Sequence, residues 1–390
     1  MSFDIQKARQ ETPGCREVLH FNNAGSALMP QPVFETVVSY LQEEYMHGGY
    51  ETVLARSQQL EHAYDACATL LNCQREEIAI IENATRAWDM AFYSIPFSPG
   101  DRILTGMDEY ASNYIALLQV ASKTGAVIDV IPNDEFGQIS LAALRNAIDE
   151  RVKLIALTHV PTNSGLVNPA GEVGQIAREA GVLYLLDACQ SIGQMPLDVQ
   201  AIGCDFLSAT GRKFLRAPRG TGLLYVRKSR LEQLEPPFLD LHAAEWTAPD
   251  HYQIRDDARR FENWETNFAG KAGLGVAIDY ALDWGLEPIQ ERVIALATRL
   301  RTQLQTLPGI TLRDIGAKKC GIVTFQVQGK TAEQIRESLA QHSINVSVSG
   351  RSSTRLDMEA RGLEEVVRTS VHYYNSEEEI ERFCTVLVSL

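Results

Sequence analysis

Val182-Leu183-Tyr184-Leu185-Leu186-Asp187-Ala188-Cys189-Gln190-Ser191 is a run of strand length that stays apolar until it ends on a carboxylate. The next such stretch is Asp205-Phe206-Leu207-Ser208-Ala209-Thr210-Gly211-Arg212-Lys213-Phe214-Leu215, which carries a lysine, Lys213, 26 positions beyond Asp187. Working outward, apolar strand patterns at 77–81, 102–105, 126–131, 153–158, 182–186 and 205–209 alternate with helical patterns near 85–95, 111–123, 140–149 and 170–180. That alternation predicts an α/β fold, with a large, mostly parallel mixed sheet flanked by helices. In such sheets ligands gather beyond the carboxyl ends of the strands. Helices are expected before it, over 31–46 and 56–72, with His47-Gly48-Gly49-Tyr50 as a flexible break between them. After a polar, aromatic stretch over 240–267, a helical region at 270–307 leads into a small α/β unit over 308–390. Its strands are expected near 321–327, 344–348 and 366–372, and its helices near 331–341 and 376–388.

The strand ends carry the candidate chemistry. Lys213 is boxed in by hydrophobes and follows the fixed charge of Arg212, two features that favour a neutral, nucleophilic amine. Read alone, it fits a lysine snorkelling at a strand rim equally well. Asp187, closing a strongly apolar strand, needs a cationic partner or hydrogen-bond donors to stay charged. Arg212 or another basic side chain is one such partner. Ala84 and Thr85 open a helix after the first strand, an arrangement that either binds a phosphate or is an ordinary capped start. Tyr110 begins another helix, placed to stack on a flat ring or simply to pack. Thr162 and Asn163 stand in a turn where they either donate to a ring substituent or close a loop. Further upstream, Asn22-Asn23-Ala24-Gly25 either lets backbone approach a ligand, with Asn23 and Gly25 as candidate substrate contacts, or is a plain loop.

Composition narrows the partners. Over 390 residues the formal net charge is −14, which argues against nucleic acid and anionic membranes. The cluster Arg212, Lys213, Arg216 and Arg219 then suits a small anionic ligand. Seven scattered cysteines form no metal-site spacing, so no metal is expected. Met1–Lys7 lacks the apolar core of a signal peptide, and the expected location is the cytoplasm. A lysine, a strand-end acid and a phosphate cradle together match the needs of pyridoxal phosphate.

With these motifs in place, the chain resembles the class V aminotransferase or cysteine desulfurase-like family of fold-type I pyridoxal-phosphate enzymes, near its C–S lyase and isopenicillin-N-epimerase-like members. The resemblance runs from Asn22-Asn23-Ala24-Gly25 to Arg368-Thr369-Ser370-Val371-His372-Tyr373-Tyr374-Asn375 and includes Pro218-Arg219-Gly220-Thr221-Gly222. It implies a large cofactor-binding domain, 31–269, an N-terminal segment, 1–30, that reaches the active site, and connecting helices with a small C-terminal domain, 270–390. It implies that Lys213 forms the aldimine with the cofactor and that Asp187 pairs with its ring nitrogen. Gln190 and Thr162, or Asn163 in its place, would contact the ring hydroxyl, and Tyr110 would stack on the ring. Ala84, Thr85, Thr210 and Arg212 would hold the phosphate, and Arg368 the substrate carboxylate. A homodimer is implied, with a residue near 264–268, loosely Thr266, reaching the partner's cofactor.

The expected function is β-elimination on a cysteine-derived amino acid, with transamination and epimerisation as alternatives. Desulfurases carry a persulfide on a mobile-loop cysteine, and the corresponding loop at 347–365 has none. Persulfide-forming desulfuration is therefore disfavoured. His47, Tyr50 and Arg351 are candidates by location alone for handling the leaving group.

Overall fold

The computed structural model describes residues 3–390. Seven strands form the central sheet in the order Ile78–Ile81, Gly222–Val226, Phe206–Thr210, Leu183–Asp187, Val152–Thr158, Arg102–Gly106, Val127–Ile131. All neighbours run parallel except Gly222–Val226, which is antiparallel to both strands beside it. This is the expected architecture of a mostly parallel mixed sheet. The expected strand positions in this sheet agree to within a residue or two, and Gly222–Val226 is the central-sheet strand that the sequence pattern does not separate from its glycine-rich surroundings. The turn at Gly211–Thr221 carries no crossover helix, so the chain can only return antiparallel.

The strands read as continuous apolar runs because both faces are covered. Ile155, Leu157, Tyr184, Leu186, Leu207 and Leu223 point to one face. Leu154, Ala156, Leu185, Phe206, Leu224 and Val226 point to the other. Side chains alternate across a strand, so each run supplies both cores at once.

A four-stranded antiparallel sheet follows, ordered Ile310–Leu312, Ile322–Val327, Glu365–Ser370, Ser347–Gly350. The helices Ala332–Ala340 and Glu377–Ser389 bury Ile335, Leu339, Ile380 and Phe383 against it. The expected strand at 344–348 is split into Ile344–Asn345 and Ser347–Gly350. Its first piece pairs in parallel with Leu19–His20, so the N-terminal segment is stitched to the far end of the chain.

Three other expectations change. The break after His47 is a single left-handed glycine, Gly48 at φ 98°, after which a third helix, Gly49–Ala55, begins at once. The helical region at 270–307 is two helices, Phe268–Trp284 and Leu286–Thr306, hinged at Gly285. The stretch 240–267 contains an exposed antiparallel hairpin, Ala244–Ala248 with His251–Ile254. Among the described residues no helix is long and apolar enough to cross a membrane.

Candidate functional site

The carboxyl ends of the adjacent strands Leu183–Asp187 and Phe206–Thr210 open onto a cavity of about 210 Å³. Its walls bring together Ala84, Thr85, Tyr110, Thr162, Asp187, Gln190, Thr210, Arg212 and Lys213. Every expected cofactor-contact residue thus lines one space. Arg368 and Gly25 each bond to a residue of these walls, whereas Asn23 does not. Arg368 Nη1 donates to the Thr162 hydroxyl, and Arg212 Nη1 to the Gly25 carbonyl. The Asn23 amide is engaged within the fold: Nδ2 donates to the Ser370 carbonyl at 2.7 Å, and Oδ1 accepts from Tyr374.

Lys213 sits in the turn just past its strand. Arg216 N–H closes that turn onto the Lys213 carbonyl at 2.9 Å, with Arg216 in the left-handed region at φ 62°. Here the structure corrects the basic-cluster reading. The Arg216 guanidinium is buried, bonded to Thr12 Oγ1 and the Tyr373 hydroxyl at 2.5 Å each, and stacks on Tyr374. It pins the lysine's turn and plays no part in the anion site. Opposite the turn, Gly193 lies so close that a Cβ would meet Leu215 N at 2.4 Å. The lysine is therefore held from both sides.

Burial is the main force lowering the Lys213 pKa, and Arg212 and Arg368 add to it, while Cys189 and Asp187 oppose it. Asp187 is 6% exposed and makes no ion pair among the described residues. Its partners are neutral donors, Cys189 N–H at 2.8 Å on Oδ1 and Asn113 Nδ2 at 2.9 Å on Oδ2. Of the two expected kinds of partner, a cation or hydrogen-bond donors, the fold supplies the donors. The Cys189 thiol faces the Lys213 amine in this wall, and burial pushes its pKa up to about 11. Cys189 lies within the motif at 182–191, which by itself gives it no role.

The helix Ala84–Phe92 starts at the cavity. Asn83 caps it by accepting from Arg86 N–H at 3.0 Å, leaving the other first-turn N–H groups directed outward beside Thr85. Across the cavity, Arg368 is 8% exposed, its Nε has no partner, and burial lowers its pKa to about 10. Gln190 Oε1 is likewise buried without a partner. Two orphaned polar groups, an open helix start, a carboxylate and an amine with a depressed pKa make up what pyridoxal phosphate with a carboxylate-bearing substrate would use, and the residues fit that group.

The segment 347–365 contains the strand Ser347–Gly350 and a short helix, Arg355–Ala360, and it is docked. Ala111 N–H donates to the Ser353 carbonyl at 2.9 Å, and Asn163 Nδ2 to Thr354 Oγ1 at 2.9 Å. Asn163 is therefore a docking residue, which leaves Thr162 as the one in the cavity wall. Of the leaving-group candidates, Tyr50 and His47 are exposed, and Arg351 pairs with Glu364. None of the three lines the cavity.

Residues 19–383 match the family described as Aminotransferase class-V. A protein of Methanothermobacter thermautotrophicus named probable cysteine desulfurase is 30% identical over 96% of this chain and 95% of its own length. The apo structure of a cysteine desulfurase from Thermococcus onnurineus superposes with a TM-score of 0.92 at 28% identity, covering 100% of this chain and 98% of that one. The cystine C-S lyase C-DES, solved with its product cysteine persulfide, shares the fold at a TM-score of 0.88 and 22% identity over 97% of this chain and 99% of its own. The first two of these proteins are named cysteine desulfurases, the activity that the cysteine-free loop disfavours in the sequence. That exclusion has no support from them, and it overlooked the thiol of Cys189 in the cavity itself.

Proposed function

Because the chain belongs to the aminotransferase class-V family, we propose that it is a pyridoxal-phosphate enzyme that breaks the Cβ–S bond of cysteine or a cysteine-derived amino acid. The observation that carries this reading is one cavity holding Lys213, with its lowered pKa, and Asp187, beside the unpaired Nε of Arg368. When bound, the cofactor supplies an electron-accepting ring that stabilises negative charge at the substrate Cα. Lys213, neutral at lower pH than an ordinary lysine, would hold the cofactor's aldehyde carbon and would accept the substrate Cα proton on Nζ. Asp187 would pair with the ring nitrogen. Gln190 and Thr162 would contact the ring hydroxyl, and Tyr110 would stack on the ring. Ala84, Thr85, Thr210 and Arg212 hold the phosphate. Arg368 grips the substrate carboxylate as a fork, with Asn23 and Gly25 shaping the backbone behind it.

Elimination is our first reading: the substrate loses its thiol, and water converts the remainder to pyruvate and ammonia. It is favoured by a docked segment 347–365 without cysteine and by a cavity thiol too basic to be a ready thiolate. Desulfuration is the second reading, favoured by the relatives' names: cysteine and an enzyme thiol give alanine and an enzyme persulfide. The test is to give the holoenzyme cysteine and a panel of S-substituted cysteines and assay both products. Pyruvate in stoichiometric yield supports elimination, and alanine with cyanolysable sulfur on the protein supports desulfuration. Cofactor converted to its amine form, or Cα hydrogen exchange with loss of chirality and no sulfur release, sinks both readings in favour of transamination or epimerisation.

The same reading divides the chain at 1–30, 31–269 and 270–390. The pairing of Leu19–His20 with Ile344–Asn345 and the Arg212–Gly25 contact support an N-terminal segment that reaches the site. We assign the protein to the cytoplasm, in keeping with its seven free cysteines, and read it as a homodimer with the loop around Thr266 at the partner's site.

A further inference from the structure

Behind Asp187 lies a second buried carboxyl that the chemistry above leaves unused. Glu109 is 4% exposed and makes no ion pair among the described residues. Four donors converge on it. Tyr110 N–H at 2.9 Å, Asn113 Nδ2 at 2.9 Å and the Thr158 hydroxyl at 2.6 Å all reach Oε1, and the Thr105 hydroxyl reaches Oε2 at 3.0 Å. Three donors on one oxygen suit an ionised carboxylate, whose lone pairs all accept, far better than a carboxylic acid. The Asn113 amide nitrogen also donates to Asp187 Oδ2 at 2.9 Å. One side-chain nitrogen thus ties two carboxyls together, and only Asp187 reaches the cavity.

Two buried negative charges this close repel each other, and the repulsion joins burial in raising the Glu109 pKa against the pull of its hydrogen bonds. Such an arrangement is tolerated when a positive charge arrives next to one of them. The only group the proposed function brings to Asp187 is the protonated ring nitrogen. We propose that Glu109 is a positioning residue for that nitrogen: its charge, relayed through Asn113 and Asp187, holds the ring protonated. The inference rests on the pyridoxal-phosphate reading and adds a residue that reading does not include.

The placement follows from the fold. Thr105 and Thr158 stand at the carboxyl ends of neighbouring parallel strands, and Asn113 lies in the first turn of the helix Ala111–Thr124. Glu109, in the link between strand and helix, is the position where all three meet. Glu109→Gln keeps an acceptor for the three donors and an amide for the Thr105 oxygen, and so removes charge with little change of shape.

The test is holoenzyme loaded with cofactor labelled with ¹⁵N in the ring, its nitrogen shift followed against pH. In Glu109→Gln the nitrogen releases its proton about one pH unit lower, roughly a tenfold change in the equilibrium. Cα hydrogen exchange into solvent falls about tenfold in kcat with KM little changed, and Glu109→Asp restores most of both. Thr158→Val, which removes the shortest bond to Oε1 and so favours the neutral acid, moves both readouts the same way and serves if the Gln variant does not fold. Nitrogen shift and exchange rate within twofold of wild type in the folded variants overturn the proposal. A wild-type protein that takes up no cofactor, and so gives no bound ¹⁵N signal, overturns the underlying reading instead.

Discussion

Asp108 shows how one side chain can set a pH dependence. It is buried, accepts a single side-chain bond from Asn168 Nδ2 at 3.1 Å, and is pushed up to about 8 by burial, with the Asp357 charge adding to the effect. The folded protein therefore holds a proton that the unfolded chain releases near 3.8. Between those values the folded state binds more protons, so stability falls as pH rises from about 4 to about 8. The loss is on the order of a few kcal/mol. Asp108→Asn supplies the neutral group at every pH and keeps an oxygen for Asn168. Urea melts at pH 5 and pH 8 should show the wild type losing stability between them and the variant losing less than half as much, with the variant the more stable at pH 8. Equal losses in the two proteins would refute this account.

At the scale of the element, the start of Ala84–Phe92 separates stability from ligand binding. Asn83 caps the helix, and Gly222 presses against it so closely that a Cβ would meet the Asn83 carbonyl carbon at 2.8 Å. Asn83→Ala should cost about 1 kcal/mol in denaturant melts of the apoprotein. Thr85→Ala should change that stability by less than about 0.5 kcal/mol, yet weaken cofactor binding roughly tenfold in a spectroscopic titration, since a hydroxyl bonded to phosphate contributes more than a neutral bond. Unchanged binding in Thr85→Ala would remove Thr85 from the phosphate cradle. Elements of this kind are legible in sequence because their signals are local. An apolar run ending in Asp187, or a helix opening at Ala84 and Thr85, is written in adjacent residues. The antiparallel strand Gly222–Val226 is not legible, because its direction depends on the shape of the turn before it. Cys189 and Glu109 escape for a related reason. Each lies beside a residue the motifs single out, but the contacts that give it meaning run to Lys213 in one case and to Asn113, Thr105 and Thr158 in the other, and those meet only in the fold.

For the whole molecule, the division into a large parallel sheet and a small antiparallel one follows from the order of strand and helix patterns, whereas the way the two surfaces of the assembled fold are used does not. Arg368 comes from the small sheet and Lys213 from the turn after a central strand, so the proposed substrate grip needs both units in register, and Asn163 and Ala111 hold Thr354 and Ser353 across the two. On another face, Tyr50 is 70% exposed, Leu54 76% and Trp264 49%, and all three rim a common cavity with Val53 and Phe268. Large apolar side chains gathered this way are uncommon on a monomer and mark an interface. Trp264 is two residues from Thr266, so an interface built here brings the loop proposed to reach the partner's site into the contact. Light scattering on the eluting protein at micromolar concentration should therefore give close to twice 43.3 kDa. Leu54→Glu places a charge in the apolar rim without touching the cavity around Lys213, and it should shift the mass towards the monomer. If the partner's loop completes the phosphate site, the same variant should bind cofactor several-fold more weakly in proportion to its monomer fraction. A wild-type protein that runs at the monomer mass while fully loaded with cofactor would show that each chain builds its site alone, and the exposed rim would then need a different partner.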